Sequence, residues 1–411
     1  MSRLSLAILT FVLVCGLSAP RVATAELAVG GNVASLSLSL LLDQIYTDPQ
    51  FGNQSTRGFI VKEINGAVLA GMNTGKSFQP LSTLKLLPYL YAMIEIDKSS
   101  SATLQNTSVT WIEATQDDPA TSSDERKFAS CYSAGATNTK QNSATYSVAL
   151  PTMMWFSHNR TLDAFLAKFG PDNITNRAHQ LGLANTQMFF GCPQGNDPQP
   201  WAKNRSTLLD LAKLFEGVDK GTFLTKNSTR QAFYANMINI NYAGASYDSP
   251  MLAASVPSSG SFSVKFMYDL PQLVQREASK IGLPDAVVDQ FLQQVVVRGK
   301  GGSGGPNANE TGYSDFLHVT LPFKQPPSLA KVAIKAKKGG PNDQVVVKEI
   351  VPKSFSVGWF IYNLKTPAGC PDPGAAGADK ATCDAIWHPE RLSHFTSEIF
   401  TPAVRKALAT W

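Results

Sequence analysis

Hydrophobic and polar positions alternate along this chain in runs that predict most of its elements. Residues 33–47 place Leu36, Leu40 and Ile45 on one side at helical spacing and predict a helix. The run TRGFIVKEINGAVLAGMN alternates with a period of two on both sides of Asn65-Gly66. Asn-Gly supplies the positive-φ pair of a tight turn, so this run predicts a β-hairpin. FQPLSTLKLLPYLYAMIEI, residues 78–96, is apolar on every side and predicts a buried helix, mildly kinked at Pro88 where one backbone donor is missing. Residues 98–147 are rich in Ser, Thr, Asn and Gln and predict a loop-rich insertion.

Helical patterns dominate the middle of the chain. VALPTMMWFSHNRTLDAFLAKFG predicts a helix closing on Gly170, a natural C-cap, and DNITNRAHQLGL predicts a short one. ANTQMFFGCPQGNDPQPWAKN is broken by Pro and Gly into a long loop, and STLLDLAKLFEGV predicts a helix capped by Ser206. FLQQVVVRGKGGSGG then passes from a helical run into a β-branched strand ending in glycines. YSDFLHVTLPF and SFSVGWFIYNL predict two further strands, and SEIFTPAVRKALATW a terminal helix. There are no internal repeats. Strands near both ends with helices between them predict an α+β fold: one mostly antiparallel sheet built from both chain ends, plus a helical subdomain.

Composition narrows the class. The 411 residues are 43% hydrophobic and 16% charged, enough for a sizeable core. The net charge is +5 and falls to +3 once Arg3 and Arg21 are removed with the leader, too little for a nucleic-acid binder. MSR followed by LSLAILTFVLVCGLSA and Ala23-Thr24-Ala25 reads as a signal peptide cleaved after Ala25, so a secreted or periplasmic location is expected. Val14 before Cys15 argues against a lipid anchor, and no later run is long enough to span a membrane. Export permits disulfides among Cys131, Cys192, Cys370 and Cys383. Cys370 and Cys383 bracket a loop-like segment and are expected to pair, which leaves Cys131 for Cys192. There is no Cys-x-x-Cys, and the five histidines are scattered, so no metal or other cofactor is expected. Asn-x-Ser/Thr sequons start at Asn53, Asn106, Asn159, Asn173, Asn204, Asn227 and Asn309. The histidines read as structural or exposed, and KVAIKAKKGG as a solvated hairpin.

The chemistry starts from Ser82 and Lys85, which lie three residues apart and share a helix face. A surface lysine beside a capping serine is the bland reading, but this pair opens the most apolar run in the chain. A second Ser-x-x-Lys, Ser328 to Lys331, lies in a polar stretch and carries no meaning. Ser157-His158-Asn159 follows an apolar helical run, and Lys300-Gly301-Gly302 ends a β-branched strand. Each motif alone is weak. Their order and their elements together are specific, and the chain resembles the class A β-lactamase and penicillin-binding protein superfamily.

The resemblance covers roughly residues 55–215, 290–321 and the terminal strand and helix. It implies one β-lactamase-like domain over residues 26–411, with insertions near 98–147, 235–290 and 322–385. It implies Ser82 as nucleophile, Lys85 as its base, Ser157 as proton relay and Asn159 as the residue holding Lys85 and substrate amide. Lys300, Gly301, Gly302 and Ser303 would bind substrate, with the N–H groups of Ser82 and Ser303 as oxyanion hole. Two departures stand out. Gly301 replaces a hydroxyl residue that would bind the substrate carboxylate. The family's Glu-Pro-x-x-Asn loop reads Cys192-Pro193-Gln194-Gly195-Asn196, so the glutamate that activates the deacylating water is absent; Asp197 lies beyond the asparagine and is a poor substitute. The implied function is a monomeric serine acyl-hydrolase acting on a β-lactam or peptide-like small molecule, with slow deacylation. A D,D-peptidase or esterase, and a non-catalytic binding module on the same scaffold, are the alternatives; absence of a covalent penicillin label would favour the binding module.

Overall fold

The computed structural model describes residues 57–99, 106–114, 139–192, 200–241, 262–307, 310–325, 349–365 and 389–411. The expected 33–47 helix, the leader, Cys131, Cys370, Cys383 and His388 lie outside them.

The predicted hairpin is present as β1 (Arg57–Glu63) and β2 (Val68–Met72), with Asn65 at φ 64° in the turn. β6 (Val296–Asn307), β7 (Glu310–Gln325) and β8 (Glu349–Lys365) form the long strands. With β5 (Ile238–Asn241) they make a six-stranded antiparallel sheet in the order β2-β1-β8-β7-β6-β5. The first strand of the sheet thus pairs with the last, which closes a chain whose ends are far apart in sequence. The fold is the α+β arrangement expected, one antiparallel sheet built from both chain ends plus a helical subdomain.

Period-two alternation puts two cores on the two faces of the sheet. Phe59, Val61, Leu317, Val319, Val357 and Trp359 face one side, where α7 (Phe262–Lys280), α8 (Asp285–Leu292) and α9 (Pro389–Leu408) cover them. Ile60, Phe316 and Phe360 face the other, against the helical subdomain of α1 (Leu86–Lys98), α2 (Tyr146–Trp155), α3 (Asn159–Phe169), α4 (Pro171–Gln180), α5 (Leu208–Asp219) and α6 (Asn227–Ala235).

Several local expectations change. Residues 98–147 are not all loop, because β3 (Ser108–Ala114) and β4 (Thr139–Thr145) pair as a separate two-stranded sheet. Residues 235–290 hold β5, α7 and part of α8. Pro88 lies in the first turn of α1, where proline is tolerated, and not in the helix interior. Thr207, not Ser206, caps α5: its hydroxyl accepts the Asp210 N–H at 3.1 Å, while the Ser206 backbone bridges to Phe78. Gly170 ends α3 at φ 81° as expected. The single helix expected across Ser157 is two helices, α2 and α3, broken at Phe156–His158.

Candidate active site

Three elements bring the motif residues together. The first is a 3-10 turn, Leu81–Lys85, which leads into α1. Leu81 stands at φ 53°, which lifts Ser82 out of regular helix geometry; Ser82 is therefore not a cap but sits inside the turn. The second is the break between α2 and α3, where Ser157 has φ 55°. A non-glycine residue held in that region costs about 1–3 kcal/mol and persists only when its surroundings enforce it. The third is β6 at Lys300. Strand β5 pairs with β6 only from Val296 to Gly299, so beyond that point no described strand covers this edge.

Lys85 lies at the centre. Its Nζ is 2.7 Å from Ser82 Oγ, 3.2 Å from Ser157 Oγ and 2.5 Å from Asn159 Oδ1. Lys300 Nζ donates to Ser157 Oγ at 3.0 Å and to the Gly301 carbonyl at 2.5 Å. Ser157 therefore stands between the two lysine nitrogens, and both lysines are buried. Burial, then the nearby Lys300, holds the Lys85 pKa well below the usual lysine value, against an opposing pull from Asp163. Burial pushes Lys300 down to about 8, with Asp315 raising it.

Gly302 is fixed by crowding. A Cβ there would lie 2.6 Å from the Ser82 backbone nitrogen and 2.9 Å from that of Thr83. The β6 backbone thus lies directly against the N–H end of the 3-10 turn. Ser303 follows on the same strand, paired with Tyr313.

Sequence reading missed the residues that hold these pieces in place. Thr83 is fully buried; its Oγ1 lies 2.8 Å from Ser314 Oγ and donates to the Lys300 carbonyl at 3.3 Å. Ser314 Oγ donates to the Pro80 carbonyl at 2.6 Å. Two hydroxyls thus lock the turn to β6 and β7. Thr83→Val keeps the shape but leaves buried acceptors unsatisfied, and should cost about 1–3 kcal/mol in chemical denaturation. Asp163 was missed as well: on α3, it accepts the Gly191 and Cys192 N–H groups at 2.6 and 2.9 Å.

Cys192 is buried and disulfide-bonded. The rest of its loop, residues 193–199, including Asp197, lies outside the described residues. His158 caps α3 by accepting the Thr161 N–H at 3.2 Å, and His318 lies 3.0 Å from Asp219, so both are structural. Among the described residues no His, Cys, Asp and Glu cluster could hold a metal, and no helix is long and apolar enough to cross a membrane.

Comparison with known proteins gives the setting of this geometry. The sequence model described as "Beta-lactamase enzyme family" matches residues 47–257, just over half of the chain. The chain belongs to this family. Its match takes in the 3-10 turn, α1 to α6 and β5, and so the Ser82 and Ser157 motifs. Among solved structures, a β-lactamase from Chitinophaga pinensis is 13% identical, with a TM-score of 0.50, covering 90% of this chain and 99% of that one. A class A β-lactamase representative from Bacteroides cellulosilyticus is 14% identical with a TM-score of 0.47, covering 90% and 100%. PBP-A is 13% identical with a TM-score of 0.44, covering 92% and 99%. At such identities the Chitinophaga likeness shows the shared fold. No curated protein matches the sequence.

Proposed function

We propose that the chain is an exported serine acyl-hydrolase that opens β-lactams, or related peptide-like amides, through a Ser82 acyl-enzyme that hydrolyses slowly. The observation that carries this is the 2.7 Å contact between Ser82 Oγ and a buried lysine whose pKa is depressed. A serine hydroxyl is a weak nucleophile until a base takes its proton, and a neutral Lys85 is that base. As Ser82 Oγ bonds to the carbonyl carbon, its proton passes to Lys85 Nζ. The oxyanion forms against the N–H groups of Ser82 and Ser303. The C–N bond then breaks, and the leaving nitrogen takes a proton through Ser157 Oγ, which touches both lysines. Lys300 holds the substrate carboxylate by charge, without help from a hydroxyl at Gly301, and Asn159 holds Lys85 and the substrate amide.

Deacylation needs a base for water. The position that carries it in class A relatives is Cys192, which is tied up in a disulfide. In this reading Cys192 pairs with Cys131 and Cys370 with Cys383. The enzyme is a monomer comprising residues 26–411, released by cleavage after Ala25. Because ring opening loses no atoms, intact-mass spectrometry after incubation with benzylpenicillin should show a gain equal to the whole antibiotic. A protein that gains nothing with any β-lactam would refute the β-lactam reading.

The pH profile follows from the two lysines. Acylation requires Lys85 neutral, so its second-order rate should climb as pH rises through the lowered Lys85 pKa. It also requires Lys300 charged, so the rate should fall as pH passes about 8. Stopped-flow acylation from pH 5 to 10 measures this bell; a rate flat to pH 10 would remove Lys300 from substrate binding.

A further inference from the structure

Asp163 is a half-buried carboxylate to which no motif draws notice. It lies one helical turn beyond Asn159, so both side chains leave the same face of α3, and that face meets Lys85 through Asn159 Oδ1 at 2.5 Å. On its other side, Oδ1 accepts the Gly191 N–H and Oδ2 the Cys192 N–H. The approach is close. A Cβ on Gly191 would stand 2.7 Å from Leu162 Cδ2 and 3.3 Å from Asp163 Oδ1, so the loop reaches α3 because residue 191 has no side chain.

The carboxylate and Lys85 act on each other. Asp163 raises the lysine's pKa, and Lys85 lowers that of Asp163, which burial has pushed up to about 7. Among the described residues, few other charges face the pair. Lys300 comes from β6, with Asp315 of β7 acting on it. Arg160 of α3 turns its guanidinium to the Ile112 carbonyl on β3 at 2.9 Å, and His158 is occupied at the helix cap. The loop adds no titrating thiol, because Cys192 is disulfide-bonded.

We propose that Asp163 is a positioning residue that couples the loop at Gly191-Cys192 to the charge of Lys85. The two N–H groups favour the ionised carboxylate, and the ionised carboxylate favours the ammonium form of Lys85. The pH at which Lys85 becomes a base is thereby set in part by how this loop is seated. The functional meaning rests on the reading of Lys85 as the base for Ser82.

The test reads titration rather than turnover. In protein labelled with [13Cε]lysine, the Lys85 resonance is assigned by its loss in Lys85→Arg and followed against pH. Its midpoint should move to lower pH in Asp163→Asn, because a group that raises it is gone, and should stay nearer wild type in Asp163→Glu. Reciprocally, [13Cγ]aspartate should report a higher Asp163 midpoint in Lys85→Met. An unmoved Lys85 midpoint in folded Asp163→Asn overturns the proposal, and so does an unmoved Asp163 midpoint in Lys85→Met. The second arm decides the matter if Asp163→Asn fails to fold. If both variants show their shifts while wild type takes no penicillin, the proposed activity is refuted and the coupling stands; if wild type is acylated and neither variant shifts, the reverse holds.

Discussion

Ser82→Ala is expected to abolish the mass gain with benzylpenicillin that wild type shows and retains for minutes or longer. The hydroxyl removed is the one that Lys85 Nζ touches at 2.7 Å, and no neighbouring oxygen replaces it as an attacking group in this scheme. Lys85→Met should leave Ser82 in place but slow its acylation by about 10²–10⁴-fold, the usual worth of a general base. Persistence in wild type has its own cause. With Cys192 in a disulfide, no loop carboxylate at that position can activate water, and hydrolysis should be slower by a factor of the same order. Rapid turnover with no lasting adduct would show that another group supplies the second base. Label retained by Ser82→Ala would place the nucleophile elsewhere.

Gly302→Ala is expected to have the next largest effect. The added methyl would stand 2.6 Å from the Ser82 nitrogen and 2.9 Å from the Thr83 nitrogen. Those atoms belong to the backbone of a turn that Thr83 and Ser314 lock to β6 and β7, so they cannot yield singly. Either the turn shifts or the strand retreats, and in both cases the Ser82 N–H loses its aim. Losing one oxyanion donor costs about 10²–10³-fold in rate, and acylation should fall by that order. Overpacking should lower stability as well, by about 1–3 kcal/mol. Wild-type acylation in Gly302→Ala would show that β6 can withdraw without harm and that this N–H plays no part.

The long strands and their antiparallel order were legible because β-branched and aromatic residues alternate between two buried faces. The motif residues were legible because each stands at the end of an apolar run: Ser82 before α1, Ser157 after α2, Lys300 within β6. What escaped the sequence was tertiary. β3 and β4 are too polar to read as strands, with Val109, Trp111 and Ala144 marking the packed side. The spacing of Leu270, Leu273, Val274 and Ala278 is helical, but Pro271 falls within it. The break at Ser157 cannot be read from apolar periodicity, since the residues on both sides are helical. Asp163 could have been suspected from its i+4 spacing to Asn159; that it binds the backbone of residues 191 and 192 is a matter of contact, which one sequence does not display. Thr83 and Ser314 carry no pattern at all.

Ser157 Oγ lies within about 3 Å of two desolvated lysine nitrogens, an arrangement that works against the fold that contains it. Burial disfavours the charged form of both lysines, and Lys300 further disfavours that of Lys85. Random substitution at either position would therefore tend to relieve the protein: methionine at residue 300 fills similar volume, removes a buried charge and ends the repulsion. Selection for stability and selection for this site pull in opposite directions. A scaffold released from chemical work would have an easy downhill route to losing one lysine, and this chain has not taken it.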